Sequence, residues 1–461
     1  MRGRNVAWIV VCALVVSCLE AASGAAEKPL WVAVTTQALE PALKPLVGKR
    51  ADDGFETVVS TKPVDKALAE LARTPNYLLL VGDYEKGKEG QPWFVATKWV
   101  KFYRWRQTQK TQFASDAAWG NSNADGVPEV AVGRISARTR EEVALVVTKI
   151  LSYEKSEPGL DDLRLPILTG ATGYGPQMDM FASQVLLSRT RSEMPGWCEP
   201  RIICGDVNSP YCGVPQEQPA VFNREMKKGC LMAAMIGHAQ ADAFQAVVVE
   251  QRAVNYMLDD AQAGLAKGEP TGPAFIFACL AGDFTGAQCS LAEMMLGSPG
   301  GPVAVVAATA ESHPLPNYYA SVSLMKSLKG DKRRIGDVWL DAQAEALKAK
   351  DAMIETMMAD VEGKLEQQID VGRLKHQQTL LYEILGDPAT PLFVPAPLDA
   401  TIERTDSGWR WKATKPEGAT RLYVGVRTGA PPAAGSRTNR PEQARAAYEK
   451  ANSAMAFVPA E

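Results

Sequence analysis

The chain has 461 residues, of which 46% are hydrophobic and 22% are charged. A chain of this length and composition can bury a full core and is long enough for two or three domains. Its formal net charge is −3 at neutral pH, so no overall positive field draws it to nucleic acid or to an acidic membrane surface. Composition therefore excludes a strongly basic nucleic-acid-binding protein and indicates a globular protein of ordinary charge.

Residues 1–26 are predicted to be a signal peptide. Arg2 and Arg4 give a positive start, residues 6–16 are apolar but too few to span a bilayer, and small residues follow from 21 to 26. We therefore expect an extracytoplasmic protein, either secreted or held at the cell envelope. Residues 15–18 also fit the pattern at which bacterial lipoproteins are cut and lipidated. Membrane attachment through a lipidated Cys18 is thus the alternative to an ordinary signal peptide.

An N-terminal α/β subdomain is predicted over residues 27–158. Its expected strands are residues 30–34, 77–83 and 130–134, and its expected helices are residues 64–71 and 139–153. Residues 99–106 alternate basic and aromatic side chains, which is typical of a half-exposed strand and, without a net positive charge, does not indicate a nucleic-acid partner.

A second subdomain is predicted over residues 159–396. Strands are expected at 165–170, 232–236, 274–278 and 303–308, and helices at 179–187, 248–268 and 290–296, followed by a mostly helical stretch over 335–385. Such alternation favours a mostly parallel sheet covered by helices on both faces. Residues 397–427 read as a short β-rich segment, and residues 428–461 as a loose Ala/Pro/Arg-rich tail.

Two apolar runs of the second subdomain each end on a reactive side chain, His238 and Cys279. Both residues would leave the carboxyl edges of neighbouring strands, where open α/β sheets bind their ligands. A thiol and an imidazole that meet there form the nucleophile and general base of a cysteine hydrolase. The alternative is that each is an ordinary core residue, since buried Cys is usually inert. Of the other two histidines, His313 precedes a proline in a loop and His376 lies on a helix without a motif.

The order of the motifs resembles that of the gingipain-type cysteine peptidases. The match runs from residue 77 to residue 392 and is carried by residues 79–83, 115–116, 125–135, 237–238, 278–284, 290–293, 303–308 and 385–388. A clostripain- or caspase-like peptidase of another lineage would share the His–Cys pair but not the 125–129 and 385–388 motifs. The resemblance implies a caspase-like three-layer α/β/α core with a mostly parallel sheet, plus a small β-rich C-terminal segment.

The same resemblance implies an exported cysteine endopeptidase that acts on proteins or peptides and requires no cofactor. Cys279 would be the nucleophile, His238 its partner, and the backbone N–H groups of Gly237 and Ala239 would hold the oxyanion. Two departures leave a second function open. Ala239 stands where the family usually has glycine, and no acid follows Gly170 to orient the histidine. The alternative is a catalytically degraded homologue that binds peptides or surface proteins.

Two further sites are predicted from the resemblance. Asp179 matches the aspartate on the substrate-pocket floor of Arg-cleaving relatives, although a capping acid at a helix start is an equal alternative. Asn121, Asn123 and Asp125 have the alternating oxygen ligands of a short calcium loop, and gingipains bind calcium. A plain Asn/Asp/Gly turn is the simpler interpretation of that segment.

Overall fold

The computed structural model describes most of the chain from residue 27 onwards and one segment before it. The described residues are 7–14, 27–103, 110–172, 185, 188–190, 192–363, 370–395, 400–406, 408–414, 421–428, 440–456 and 458–459. No helix among them is both long and apolar enough to cross a membrane.

The strands are numbered here in chain order. They are β1 (Ala7–Leu14), β2 (Leu30–Val34), β3 (Glu56–Ser60), β4 (Tyr77–Val81), β5 (Lys98–Lys101), β6 (Gln112–Ser115), β7 (Ala131–Ile135), β8 (Arg164–Thr169), β9 (Glu199–Cys204), β10 (Ala233–Ile236), β11 (Ala243–Val249), β12 (Arg252–Met257), β13 (Ala274–Phe277), β14 (Val305–Ala308), β15 (Tyr382–Leu385), β16 (Ala400–Thr405), β17 (Gly408–Ala413), β18 (Arg421–Thr428) and β19 (Val458–Pro459).

The α-helices are numbered in the same way. They are α1 (Glu40–Asp52), α2 (Val64–Ala69), α3 (Arg140–Lys155), α4 (Gln218–Lys227), α5 (Leu258–Leu265), α6 (Leu291–Gly297), α7 (Pro314–Ser327), α8 (Ile335–Lys348), α9 (Ala352–Gly363), α10 (Val371–Leu381) and α11 (Pro441–Ser453).

A ten-stranded sheet forms the centre of the molecule, in the order β3-β2-β4-β7-β15-β14-β13-β10-β8-β9. All neighbouring pairs are parallel except β14 and β15, which are antiparallel. The sheet is therefore two five-stranded parallel halves that run in opposite directions and meet at β14–β15. Strand β15 lies far along the chain yet joins the half built by the N-terminal strands.

Helices cover both faces of this sheet, as the alternation of buried side chains shows. On β2, Trp31 and Ala33 belong to one core cluster, which also contains Leu43 of α1, whereas Leu30 and Val32 belong to a second cluster. Side chains alternate between the two faces of a strand, so both faces of β2 are packed. The predicted mostly parallel sheet between two helical layers is confirmed.

The motif at residues 385–388 packs against the N-terminal half of the protein. The Asp387 carboxylate accepts hydrogen bonds from Arg50 Nε at 2.8 Å and from Trp31 Nε1 at 3.1 Å. Arg50 is fully buried on α1, and its guanidinium also pairs with Glu154 at the end of α3. A buried charge is tolerated only when it is paired, so this cluster fixes α1 and α3 against the strand end that follows β15.

Two secondary-structure predictions were wrong. Residues 248–268 do not form one helix: β11 and β12 make an antiparallel hairpin, and the short α5 follows it. Residues 428–461 are not all loose, because α11 spans Pro441–Ser453. The predicted strands of the β-rich segment are confirmed as β16, β17 and β18.

The segment predicted to be the core of a signal peptide contains strand β1. It pairs antiparallel with β18, from Ala7 opposite Thr428 to Leu14 opposite Arg421. The backbone pairing does not test whether residues 1–26 are removed, and the signal peptide stays a prediction.

Helix α11 packs against β9, the last strand of the central sheet. The fully buried Asn452 accepts a hydrogen bond from the Ile202 N–H at 2.8 Å and donates one to the Ile202 carbonyl at 3.1 Å. One side chain thus satisfies both backbone groups that Ile202 would otherwise leave unpaired on the outer side of β9. Arg445 of α11 also pairs with Glu217.

Replacing Asn452 with alanine should destabilise the protein by about 2 kcal/mol, because the buried N–H and carbonyl of Ile202 lose their partners. The measurement is the midpoint of urea unfolding. Lys450→Ala, an exposed change on the same helix, is the matched control and should leave the midpoint unchanged. Equal midpoints for the two variants would show that α11 does not stabilise β9.

Candidate active site

The site lies where three neighbouring parallel strands end. In the hydrogen-bonded register Ile236 of β10 faces Phe277 of β13, and Ile276 of β13 faces Ala307 of β14. His238 and Cys279 each follow the last residue of their strand by two positions. The prediction that both residues leave the carboxyl edges of adjacent strands is therefore confirmed.

Cys279 is held by the segment that follows β14. Its thiol is half-buried, and Sγ lies 3.5 Å from the Ser312 carbonyl oxygen and 3.8 Å from Ser312 Oγ. Ser312 Oγ in turn accepts a hydrogen bond from Asn317 Nδ2 at 2.8 Å. Burial raises the pKa of the Cys279 thiol above its ordinary value, and the charge of Glu311 adds to the rise. The resting thiol is accordingly neutral near pH 7.

A buried polar network fixes Asn317 behind the thiol. Asn317 Oδ1 accepts hydrogen bonds from Tyr382 Oη at 2.8 Å and from Gln378 Nε2 at 3.0 Å. These residues come from α7, α10 and β15, so the orientation of Ser312 depends on elements well outside the two motifs. The sequence analysis did not predict a role for Ser312, Asn317, Gln378 or Tyr382.

The turn after the nucleophile is strained. Leu280 has φ of +60°, a left-handed conformation that is unusual for a residue with a side chain. Its N–H donates to the Ala310 carbonyl at 3.0 Å, which ties the turn to the segment after β14. Such strain is retained where the surrounding structure requires it and is frequent at functional sites.

The imidazole of His238 is exposed and has a backbone partner. Nε2 lies 2.9 Å from the Thr172 carbonyl oxygen. A carbonyl only accepts, so Nε2 carries the proton in the neutral ring and Nδ1 is left as the acceptor. The position after Gly170, where the sequence lacks the expected acid, thus supplies a main-chain oxygen that orients the histidine.

The two predicted oxyanion donors have different surroundings. The Gly237 N–H donates to the Phe277 carbonyl at 3.2 Å, so it is occupied as long as β10 and β13 stay paired. Ala239 is buried, forms an isolated antiparallel β-bridge with Phe244 and does not have a positive φ. The backbone conformation at this position therefore does not require glycine, and alanine adopts it without strain.

The remaining predicted residues are Asp179 and the three residues of the calcium loop. Asp179 lies outside the described residues. At the calcium loop, Asp125 Oδ1 accepts from the Val127 N–H at 2.8 Å, and Asn123 Oδ1 accepts from the Asp125 N–H at 2.9 Å. These are the contacts of a plain turn, and the described residues contain no group of three or more His, Cys, Asp or Glu that could hold a metal ion. Calcium binding at Asn121, Asn123 and Asp125 stays a prediction.

The loop after Cys279 leads to a buried carboxyl pair at the start of α6. Ser136 Oγ lies 2.9 Å from Asp83 Oδ1 and 2.7 Å from Glu293 Oε1. The Ser136 hydroxyl has one proton and can donate to only one of the two carboxylates. Two hydrogen bonds among Ser136, Asp83 and Glu293 therefore require that one carboxyl group is protonated. Burial raises the pKa of the Glu293 carboxyl above its ordinary value, so Glu293 keeps its proton to a higher pH than an exposed glutamate does. The three side chains line a cavity of about 380 Å³ together with Cys289.

Replacing Glu293 with glutamine should stabilise the protein at pH 8 more than at pH 5. The folded state raises the pKa of Glu293 above its ordinary 4.5. The wild type therefore loses stability as the pH rises from the ordinary pKa of the unfolded state to the higher pKa of the folded state. Glutamine has no proton to lose, and its amide can donate to Ser136 Oγ while its carbonyl accepts from the Ser290 N–H.

The free energy of unfolding in urea at the two pH values measures this effect. Glu269→Gln, at an exposed carboxylate, serves as the control and should show no such dependence. If the Glu293 variant differs from the wild type by the same amount at both pH values, Glu293 is ionised in the folded protein.

Comparisons with known proteins cover most of the chain. The sequence profile of peptidase family C25 matches residues 25–393. No curated protein matches the sequence. A solved structure described as "Structure of Protease" is 15% identical with a TM-score of 0.58, and the alignment covers 87% of this chain and 94% of that one.

Two structures of gingipain R are also similar. The Arg-specific cysteine proteinase gingipain R is 16% identical with a TM-score of 0.56, over 87% of this chain and 94% of its own. A complex of its pro- and mature domains from Porphyromonas gingivalis is 16% identical with a TM-score of 0.55, over 86% of this chain and 96% of the other. At such identities the likeness is one of fold, and the fold is the caspase-like α/β architecture expected from the sequence.

Proposed function

Because the chain belongs to peptidase family C25 and is thus a cysteine-type peptidase, we propose that Cys279 is its nucleophile and His238 its general base and acid. The observation that carries the proposal is the parallel pairing of β10 with β13, which brings the two residues to adjacent strand ends. The hydrogen bond from His238 Nε2 to the Thr172 carbonyl supports it, since it leaves Nδ1 free to take a proton.

The reaction begins with a neutral thiol. His238 Nδ1 takes the Cys279 proton as Sγ attacks the carbonyl carbon of the peptide, and the imidazolium then gives that proton to the leaving amine. Water hydrolyses the thioester, with His238 again as the base. The tetrahedral oxyanion needs backbone donors. With the Gly237 N–H engaged in the sheet and the Leu280 N–H bonded to Ala310, the N–H groups of Ala239 and of Cys279 itself are the candidates.

The degraded, binding-only alternative rested on two sequence features. The first was Ala239, which has an ordinary backbone conformation, and the second was the missing acid, in whose place the Thr172 carbonyl accepts from His238. Neither feature favours loss of catalysis. We therefore infer an endopeptidase that acts on proteins or peptides, while a preference for a basic side chain through Asp179 stays a prediction.

Hydrolysis of a fluorescently labelled casein and of a mixed peptide library tests this assignment. Cys279→Ala should abolish hydrolysis and labelling by a peptidyl chloromethyl ketone, and His238→Ala should lower kcat by about 10²-fold to 10⁴-fold. His376→Ala and Cys289→Ser are matched controls at an exposed imidazole and an exposed thiol and should retain activity. A wild type that binds the peptides without cleaving them, with Cys279→Ala binding equally well, would favour the alternative.

We also propose that the protein is exported, on the basis of residues 1–26 and of its family. Expression of the full chain with cell fractionation should find it outside the cytoplasm, and sequencing of the mature N-terminus should place the cut near residue 26. A mature chain that begins at Cys18 and carries lipid would establish the lipoprotein alternative. An uncut chain in the cytoplasm would contradict export.

A further inference from the structure

Three of the sequence motifs have no task in the proposed mechanism: residues 79–83, 115–116 and 125–135. The structure brings them together around one fully buried cation, Arg134 of β7. Its Nη2 atom lies 3.0 Å from Asp116 Oδ1, its Nε atom also pairs with the Asp116 carboxylate, and Nη1 donates to the Gly82 carbonyl at 2.8 Å. Each of the three motifs therefore contributes either the guanidinium or one of its partners.

The guanidinium of Arg134 is charged and held in one orientation. Burial by itself lowers the pKa of Arg134, but the Asp116 carboxylate and its acidic neighbours outweigh burial, and the pKa is raised above its ordinary value. The carbonyl oxygens of Val95 and Ala96, each at 3.2 Å, accept further hydrogen bonds. All five N–H donors of the guanidinium thus have acceptors, so any further contact is made through its planar face.

The ring of Phe284 makes such a contact with Arg134. The guanidinium carbon lies over this ring, 4.7 Å from its centre, and Phe284 is buried. An aromatic face attracts a cation, and the attraction is strongest where both groups are removed from water. Phe284 follows Cys279 by five positions, on the loop that leaves the nucleophile. The N-terminal half of the sheet therefore holds the nucleophile loop through the charge of Arg134.

The chain between Cys279 and Phe284 forms a tight turn. The Asp283 N–H donates to the Leu280 carbonyl at 3.0 Å, which closes the turn one residue before Phe284. Leu280 has the left-handed conformation described above, and such a strained backbone persists only while the surrounding structure holds it. If Phe284 were released, the turn could relax, and the relaxation would displace the Cys279 thiol and the Cys279 N–H.

We propose that Arg134 is a positioning residue of the peptidase reaction: its charge holds Phe284, and Phe284 holds the strained turn that positions Cys279. This inference rests on the proposed function, because Cys279 must be the nucleophile. Arg134 is fully buried and acts on the geometry of the turn, not on the substrate. A weaker hold should therefore lower kcat and leave KM nearly unchanged, because the alignment of Cys279 matters most in the transition state.

The first test replaces Phe284 with phenylalanines that carry one, two or three ring fluorines. Fluorine draws electron density from the ring face and weakens its attraction to a cation, with little change in the size of the ring. The value of kcat for a labelled peptide should fall with each fluorine, by about tenfold over the series, while KM stays within about twofold. Loss of apolar packing alone does not produce this dependence on the number of fluorines.

The matched control is the same series at Phe222 of α4. This ring is also fully buried and packs against Tyr256, but no described Lys or Arg lies over it. Fluorination of Phe222 should leave kcat at the wild-type value. A kcat that does not follow the number of fluorines at Phe284, or that falls equally in the two series, would overturn the proposal.

The second test requires no hydrolysis and compares Phe284→Leu with Phe222→Leu by hydrogen exchange and mass spectrometry. Leucine keeps an apolar side chain but has no aromatic face for Arg134. In Phe284→Leu the amides of residues 280–283 should exchange at least about fivefold faster than in the wild type, while those of β10 keep their protection. General destabilisation would speed exchange in the turn and in β10 alike, and that result would overturn the proposal.

The two tests separate this inference from the proposed function. If the wild type cleaves no peptide but Phe284→Leu speeds exchange in the turn alone, the proposed function fails and the anchoring of the turn by Arg134 stands. If the wild type cleaves peptides and kcat stays constant over the fluorine series at Phe284, the proposed function stands and the role of Arg134 in the reaction fails.

Discussion

The parallel pairing of β10, β13 and β14 is the constraint on which the site depends. Parallel strands end at the same edge of a sheet, so the register between Ile236 and Phe277 and between Ile276 and Ala307 determines which residues leave the strands side by side. Three segments that are distant in sequence thereby contribute an imidazole, a thiol and a carboxylate to one edge. A slip of the register would separate them, and the buried apolar side chains on both faces prevent it.

Most of the central sheet could be predicted from the sequence, because its strands are short runs of buried apolar residues between turn signals. The hairpin of β11 and β12 was mistaken for part of a helix. Its turn at Glu250 and Gln251 has positive φ without the glycine or asparagine that normally marks such a turn. Helix α11 was missed because its buried face is small, with Ala444, Tyr448 and Ala451 among few apolar residues.

Only those parts of the candidate site that are formed by the side chains of recognisable motifs could be predicted from the sequence. Cys279 and His238 follow recognisable strands, and the resemblance to a peptidase family gave them roles. The orienting oxygen of Thr172 belongs to the main chain and leaves no trace in the residue type. Ser312 and Asn317 reach the thiol through a network that joins α7, α10 and β15, and no local pattern reveals such contacts. The acid that the motif lacks after Gly170 is therefore replaced by a main-chain carbonyl oxygen, and the hydrogen bond to His238 is kept.

The contact between Asn452 and Ile202 bears on how copies of this protein behave at high concentration. An outer strand with free N–H and carbonyl groups is a template for pairing with another molecule. On β9 these groups of Ile202 are already bonded by a side chain of α11, so another copy cannot add a strand at that point. Strand β3 lies at the other end of the central sheet, and there Glu56 forms an ion pair with Arg73. The central sheet is thus protected from extension at one end by a helix and discouraged from it at the other by charge.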